Sequence, residues 1–181
     1  MLHIMRVDLK LDHLLTSPER EAINKLSDAV YPPGATPDWG LAPTEWAPQT
    51  VRAMLWEDER LVCHVGALIR DARIDGRAVR VGGIGGVMTA PAARRRGCAR
   101  AALAAMRAHL VDNQDVSFSL MFCADHLHSF YGKLGWRLFA DPPLVERHGI
   151  AIEFTLNPAM VQDGSGSAPA AGRLELRGLP W

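Results

Sequence analysis

The dipeptide Asp75-Gly76, set between two long apolar runs, constrains this chain more than any other feature. Asp-Gly suits a two-residue turn with positive φ at both positions, the turn whose twist matches antiparallel strands. Leu61 to Ile74 and Ala78 to Thr89 are therefore expected to pair as a hairpin. An earlier run, Val51 to Glu57, is cut off by Asp58-Glu59 and makes a third consecutive antiparallel strand. After Pro91 the period changes. Residues 97–111 (GCARAALAAMRAHLV) place Leu103, Met106 and Leu110 on one stripe and Arg100 with Arg107 on another, the pattern of an amphipathic helix.

Residues 2–10 alternate imperfectly and read as a strand. Ser17-Pro18-Glu19 supplies an N-cap, an early proline and an acid, so a helix over about 18–30 follows, stopped by Tyr31-Pro32-Pro33-Gly34. Five prolines and two tryptophans in residues 32–49 mark a long loop or broken helix. Downstream, 116–123 reads as a strand, 125–134 as a helix stopped at Gly135, and 136–140 and 145–156 as strands. The stretch 157–172 (NPAMVQDGSGSAPAAG) reads as a flexible linker, and Leu174 to Leu176 as a last short strand. The expected organisation is one domain over 1–156, a linker over 157–172 and a returning segment over 173–181. There are no internal repeats.

Composition narrows the function. Twenty basic and twenty acidic side chains in 181 residues, with 48% hydrophobic residues, describe a folded chain without the basic face that nucleic-acid binding requires. No run of 18 apolar residues occurs and the first twenty residues hold no signal-peptide core, so no membrane role is expected and the expected location is the cytoplasm. Cys63, Cys98 and Cys123 are odd in number and widely spaced, which suggests neither disulfides nor a zinc knuckle, and no metal is expected. Cys98, at a helix start beside arginines, has the setting of a thiol with lowered pKa. Of Cys63 and His64, adjacent in mid-strand, one must face inward.

The chemistry concentrates in VMTAPAARRRGCAR, residues 87–100. A strand running through Arg94, Arg95, Arg96 and Gly97 into a helix aims successive backbone N–H groups, and the positive end of the helix dipole, at one point. That point should hold an anion. Gly97 permits close approach and the arginines add charge suited to phosphate. The passage is neither a dinucleotide fingerprint nor a Walker loop.

Arg94-x-x-Gly97-x-Ala99 resembles the pyrophosphate loop of the GNAT superfamily of N-acetyltransferases, and Phe130-Tyr131-Gly132-Lys133-Leu134-Gly135-Trp136 is similar to that family's later Tyr-x-x-x-Gly-Phe/Trp motif. The resemblance covers roughly residues 3–156. It implies an α/β (α+β) fold: a mixed, mostly antiparallel sheet of six to seven strands, flanked by about four helices and splayed at the cofactor site. It implies acetyl-CoA as cofactor, with pantetheine along Val87, Met88 and Thr89 and phosphates at Arg94, Arg95, Arg96, Gly97, Cys98, Ala99 and Arg100. Tyr131 would protonate the departing thiolate.

The amine acceptor needs a base. An amine of pKa about 10 is neutral in about one part in a thousand at pH 7, a penalty of roughly 4 kcal/mol. Family members that use a glutamate on the strand before the loop have it where this chain reads Gly82-Gly83-Ile84-Gly85-Gly86, and the position falls on Gly85. Four glycines in five residues imply a bulge or a closely approaching ligand, and the ligand is the preferred reading. Asp125 reads as a helix N-cap.

Asp38-Trp39 and Glu45-Trp46 offer carboxylates beside aromatic faces, suited to a small cationic amine. Within the superfamily the chain is most similar to the aminoglycoside 2′-N-acetyltransferases, on its length, Arg80-x-Gly82-x-x-x-Gly86-Val87, the Tyr131 to Trp136 motif and a final tryptophan. That resemblance implies that the Trp181 carboxylate reaches the acceptor, while LRGLPW lacks that group's acidic residues, so an aminosugar, a polyamine or an amino-acid derivative fits as well as an antibiotic. An inactive acyl-CoA-binding module and a peptide or protein N-acetyltransferase are the competing readings. A homodimer is compatible with all of them.

Overall fold

The computed structural model describes residues 4–32 and 45–181. Strand β1 (Met5–Leu11) leads through a 3-10 turn into helix α1 (Ser17–Val30). The helix is capped one residue earlier than expected. The Thr16 hydroxyl accepts from the Glu19 N–H, and the Glu19 carboxylate accepts from the Thr16 N–H at 2.8 Å, closing a capping box. Strands β2 (Val51–Glu57), β3 (Arg60–Ile74) and β4 (Arg77–Thr89) then run antiparallel in sequence, as the turn residues predict. Asp75 (φ 49°) and Gly76 (φ 78°) make the turn between β3 and β4.

Helix α2 (Cys98–Gln114), strand β5 (Phe118–Phe122), the short helix α3 (His128–Gly132) and strands β6 (Arg137–Leu138), β7 (Leu144–Arg147), β8 (Ile150–Glu153), β9 (Ala159–Asp163) and β10 (Leu174–Glu175) follow. All ten strands among the described residues join one sheet in the order β6-β9-β5-β4-β3-β10-β7-β8, with β1 and β2 branching from β3. Only β4–β5 and β10–β7 are parallel. This is the expected mixed, mostly antiparallel class, with more strands than the six to seven expected and, among the described residues, three α-helices where about four were expected. Part of the excess comes from the 145–156 run. It folds as two strands because His148 (φ 51°) and Gly149 (φ 78°) turn the chain between them.

The linker reading of 157–172 fails. Ala159, Met160 and Val161 are almost fully buried, and β9 pairs antiparallel with β5 on one side and β6 on the other. The Gly-Ser stretch beyond it is hydrogen-bonded to the backbone of Val116 and Ser117, against which Gly164 packs too closely for any side chain.

Both faces of the central strands are covered. Leu103, Met106 and Leu110 of α2 pack with Val51, Ala53 and Leu55 on one face. On the other, Leu26 of α1 packs with Met54, Trp56 and Met88 at one end of the sheet, and Leu174, Leu176 and Trp181 pack with Val81 and Leu120 at the other. Two-sided coverage is why Cys63 and His64 are both fully buried, where alternation predicts one. No described helix is long and apolar enough to cross a membrane.

Candidate active site

Strand β4 pairs with β5 from Val81–Phe118 to Ile84–Met121, and there the pairing stops, although β4 continues to Thr89. On the other side of β4 the register with β3 jumps from Gly66–Gly85 to His64–Met88. Gly86 and Val87 therefore oppose the single residue Val65, a β-bulge, and Gly86 takes φ 56° to make it. Of the two causes expected for the glycine run, the bulge is the one observed. Gly85 to Thr89, the last five residues of β4, have no ladder partner on the β5 side, and this unpaired edge is the wedge of the site.

From this edge the chain passes through a 3-10 turn (Pro91–Ala93) to the start of α2. Arg95 (φ 61°) and Gly97 (φ 82°) lie in the left-handed region, and Gly97 is the N-cap, with no side chain to accept from the first-turn N–H groups. The first helical bond is Ala101 N–H to Gly97 O, so the N–H groups of Cys98, Ala99 and Arg100 have no helical acceptor. Nothing lies within 4 Å of a Cβ built on Gly97. This open, positive helix start could hold an anion such as a pyrophosphate. The arginines divide their work differently from the expectation. Arg96 pairs with the buried Glu57 at the end of β2, Nη1 donating to Oε2 at 3.3 Å and Nη2 to Oε1. Arg94 Nε lies 3.4 Å from the Thr89 carbonyl, while Arg95 and Arg100 are exposed. Cys98 is buried under the helix, which removes the setting of a reactive thiol.

Tyr131 is buried on α3, edge-to-face with Phe130 and Trp136 at centroid distances of 5.0 and 6.3 Å. Burial, with the nearby Cys123, Tyr31 and Cys63, pushes its phenol well above the ordinary value, so it holds its proton at neutral pH. Asp125 caps nothing with its side chain. It lies within the 3-10 turn before α3, 3.7 Å from His128 Nε2, which in turn lies 3.2 Å from the Cys123 carbonyl.

On the face opposite α2, the glycines make a floor. A Cβ on Gly83 would overlap the Trp181 indole, and one on Gly66 would overlap the Gln49 amide. A Cβ on Gly85 would sit 3.1 Å from the Trp181 main-chain carbonyl carbon and 3.2 Å from Gln49 Nε2. Strand β10 brings Trp181 here. Its indole N–H donates to Leu120 O at 3.2 Å, Arg70 lies 5.3 Å over its ring, and Phe122 packs at 6.0 Å. Arg70 also donates to the Leu179 carbonyl at 2.9 Å, and the Ala47 N–H to the Pro180 carbonyl at 2.6 Å.

The GNAT acetyltransferase domain model matches residues 13–139, which include the wedge, the start of α2 and Tyr131. The chain belongs to the GNAT acetyltransferase family. Escherichia coli ElaA superposes with a TM-score of 0.63 at 15% identity, covering 88% of this chain and all of that one. The GNAT family N-acetyltransferase YhbS from Escherichia coli, solved in complex with CoA, gives 0.62 at 14% identity, covering 97% of this chain and 89% of that one. A GNAT family acetyltransferase from Brucella melitensis, in complex with acetyl-CoA, gives 0.59 at 13%, covering 93% and 94%. No curated protein matches the sequence.

Within this GNAT fold, the residues singled out from sequence fall into two groups. Cys98 and Tyr131 belong to one core cluster, against which Val87 and Ala99 pack, and Met88 turns its buried side chain to the α1 face. Gly85 and Trp181 meet on the opposite face. The Trp181 indole does not stack on the loop tryptophans: Trp46 is half exposed and packs edge-on against Phe154 at 6.0 Å, and Phe154 against Phe122 at 4.3 Å. Glu45 is exposed, and Asp38 and Trp39 lie outside the described residues. Sequence reading passed over Gln49, Arg52 and Arg70. The only hint of them was the glycine floor itself, since so much vacated space in a packed fold implies large side chains arriving from elsewhere.

Proposed function

We propose that the chain transfers an acetyl group from acetyl-CoA to the primary amine of a small acceptor, aminosugar-like in its chemistry, by direct attack on the thioester. The observation that carries this reading is the wedge between β4 and β5 running out at an uncapped helix start. Acetyl-CoA supplies an activated acyl carbon and a thiolate leaving group. The N–H groups of Cys98, Ala99 and Arg100 take the pyrophosphate, with Arg95 adding exposed charge, and the free edge of Val87 to Thr89 holds the pantetheine amides. Tyr131, kept protonated by burial, donates its proton toward the thiolate side of the wedge. Trp181, whose main chain lies beside Gly85, stands where the strand glutamate is absent and borders the acceptor's amine. Glu45 and Trp46 draw a cationic acceptor to the same face.

A second reading, an acyl-CoA-binding module without turnover, is favoured by one feature alone, the lack of a side-chain carboxylate at Gly85. Incubating the protein with acetyl-CoA and a panel of aminosugars, polyamines and amino-acid derivatives, and following free thiol, decides between them. Amine-dependent CoA release is expected. Binding of acetyl-CoA with no release by any amine would overturn the catalytic reading and leave the binding module.

A further inference from the structure

His64 is completely buried, on the sheet face it shares with Met54 and Met88, its partners in register on β2 and β4. Its Nδ1 lies 2.7 Å from the carbonyl oxygen of Gly86, the bulge residue. Its Nε2 lies 3.5 Å from Arg52 Nη1. A guanidinium can only donate, so Nε2 is the bare nitrogen and Nδ1 carries the proton that Gly86 O accepts. Arg52 is itself fixed. Its Nε and Nη2 donate to Asp12 Oδ1 at 2.8 and 2.7 Å, and its Nη1 donates to Gln49 Oε1 at 2.7 Å.

The Gly86 carbonyl belongs to the same peptide unit as the Val87 N–H. The described peptide bonds are all trans, and in a trans peptide C=O and N–H point in opposite directions. A carbonyl drawn toward the His64 ring therefore turns the Val87 N–H away from that ring, on a stretch of β4 that β5 no longer pairs. A hydrogen bond accepted by the carbonyl also polarises the peptide and strengthens its N–H as a donor.

We infer that His64 is a positioning residue: through Gly86 it locks the bulge so that the Val87 N–H is aimed into the wedge as the hydrogen-bond donor to the thioester carbonyl. This rests on the acetyl-CoA reading above. Asp12 and Arg52 act one step further back, by fixing which ring nitrogen is protonated. Burial pushes the His64 pKa down to about 4, so the ring stays neutral with a single proton to place. Nothing in residues 97–100 competes for this role, because their N–H groups point at the phosphate end.

The test uses acetyl-CoA labelled with 13C at the thioester carbonyl and the infrared stretch of that carbonyl when bound. In the wild type it should fall below its frequency in water. His64→Leu should lose most of that shift and lower kcat at least about tenfold, with the Kd for CoA unchanged within about twofold. His64→Asn, whose side-chain amide can place an N–H where Nδ1 sits, should recover most of the shift. A full wild-type shift in His64→Leu would overturn the inference. If His64→Leu does not fold, 15N imidazole spectra of the wild type decide, since a proton on Nε2 in place of Nδ1 leaves Gly86 without its donor and overturns it equally. Failure of the wild type to bind acetyl-CoA would sink the parent reading instead, and the imidazole spectrum would still report whether His64 clamps the bulge.

Discussion

Replacing Gly83 by alanine would drive a methyl group into the Trp181 indole, whose Cε2, Cδ2 and Cζ2 are the atoms nearest to a Cβ built there. The clash is with a rigid ring pinned on several sides by the Leu120 carbonyl, Phe122 and Arg70, so the indole must leave. Trp181 is only 5% exposed, and losing a buried tryptophan costs about 3 to 5 kcal/mol. Gly83→Ala should therefore destabilise by about that amount in the wild type. In a Trp181→Ala background the methyl group meets none of those ring atoms, and alanine in place of glycine within a strand should be neutral or stabilise by about 0.5 to 1 kcal/mol. The two substitutions thus couple by roughly 4 kcal/mol, and the effect of Gly83→Ala changes sign between backgrounds. Urea denaturation of the four proteins of the cycle, followed by far-ultraviolet circular dichroism, measures this directly. Equal destabilisation by Gly83→Ala in both backgrounds would refute the placement of the indole on the glycine floor.

Gly97→Trp, at φ 82° with open space around it, should fold with a loss of about 1 to 2 kcal/mol and yet abolish CoA binding; unchanged affinity by calorimetry would remove the start of α2 from the cofactor site. Tyr131→Phe keeps the packed ring and removes only the proton, so turnover should fall about 10²-fold with the Tm near wild type, and a fully active variant would mean that water protonates the thiolate. His64, with a folded pKa of about 4 against an ordinary 6.5, stays neutral while the unfolded chain takes up a proton. Stability should fall by about 3 kcal/mol as pH drops from 6.5 to 4, with no contribution from this group above that window. In His64→Asn that slope should flatten, and a persistent slope in urea titrations across pH would assign it to other groups.

The parts of the fold that were legible in the sequence are those specified by neighbouring residues. Asp75-Gly76 fixes a turn by its own φ preferences, and the α2 stripe of Leu103, Met106 and Leu110 recurs within two turns, so the central hairpin and α2 could be read with nearly correct ends. His148-Gly149 turns the chain just as sharply, but His-Gly is not one of the dipeptides that mark a two-residue hairpin, and the hairpin of β7 and β8 passed as one strand. Strand β9 offers three apolar residues amid glycine, serine and proline, too short a signal to outweigh its surroundings. The site divides the same way. The loop from Arg94 to Ala99 and Tyr131 announce themselves by local spacing, whereas the link from Arg52 to Asp12 spans forty positions and the one from Trp181 to Leu120 spans sixty-one. Nothing in the neighbourhood of either residue encodes its partner.

The family match ends at residue 139, and β7 to β10 lie beyond it. The wedge, the helix start and the buried phenol thus sit in the shared portion, while the indole over Gly83, Phe154 and the segment that carries Arg70's carbonyl partners come from the remainder. The two portions are nonetheless one sheet: β9 inserts between β5 and β6, and β10 pairs with β3, so the face that carries Trp181 forms only when both portions fold together.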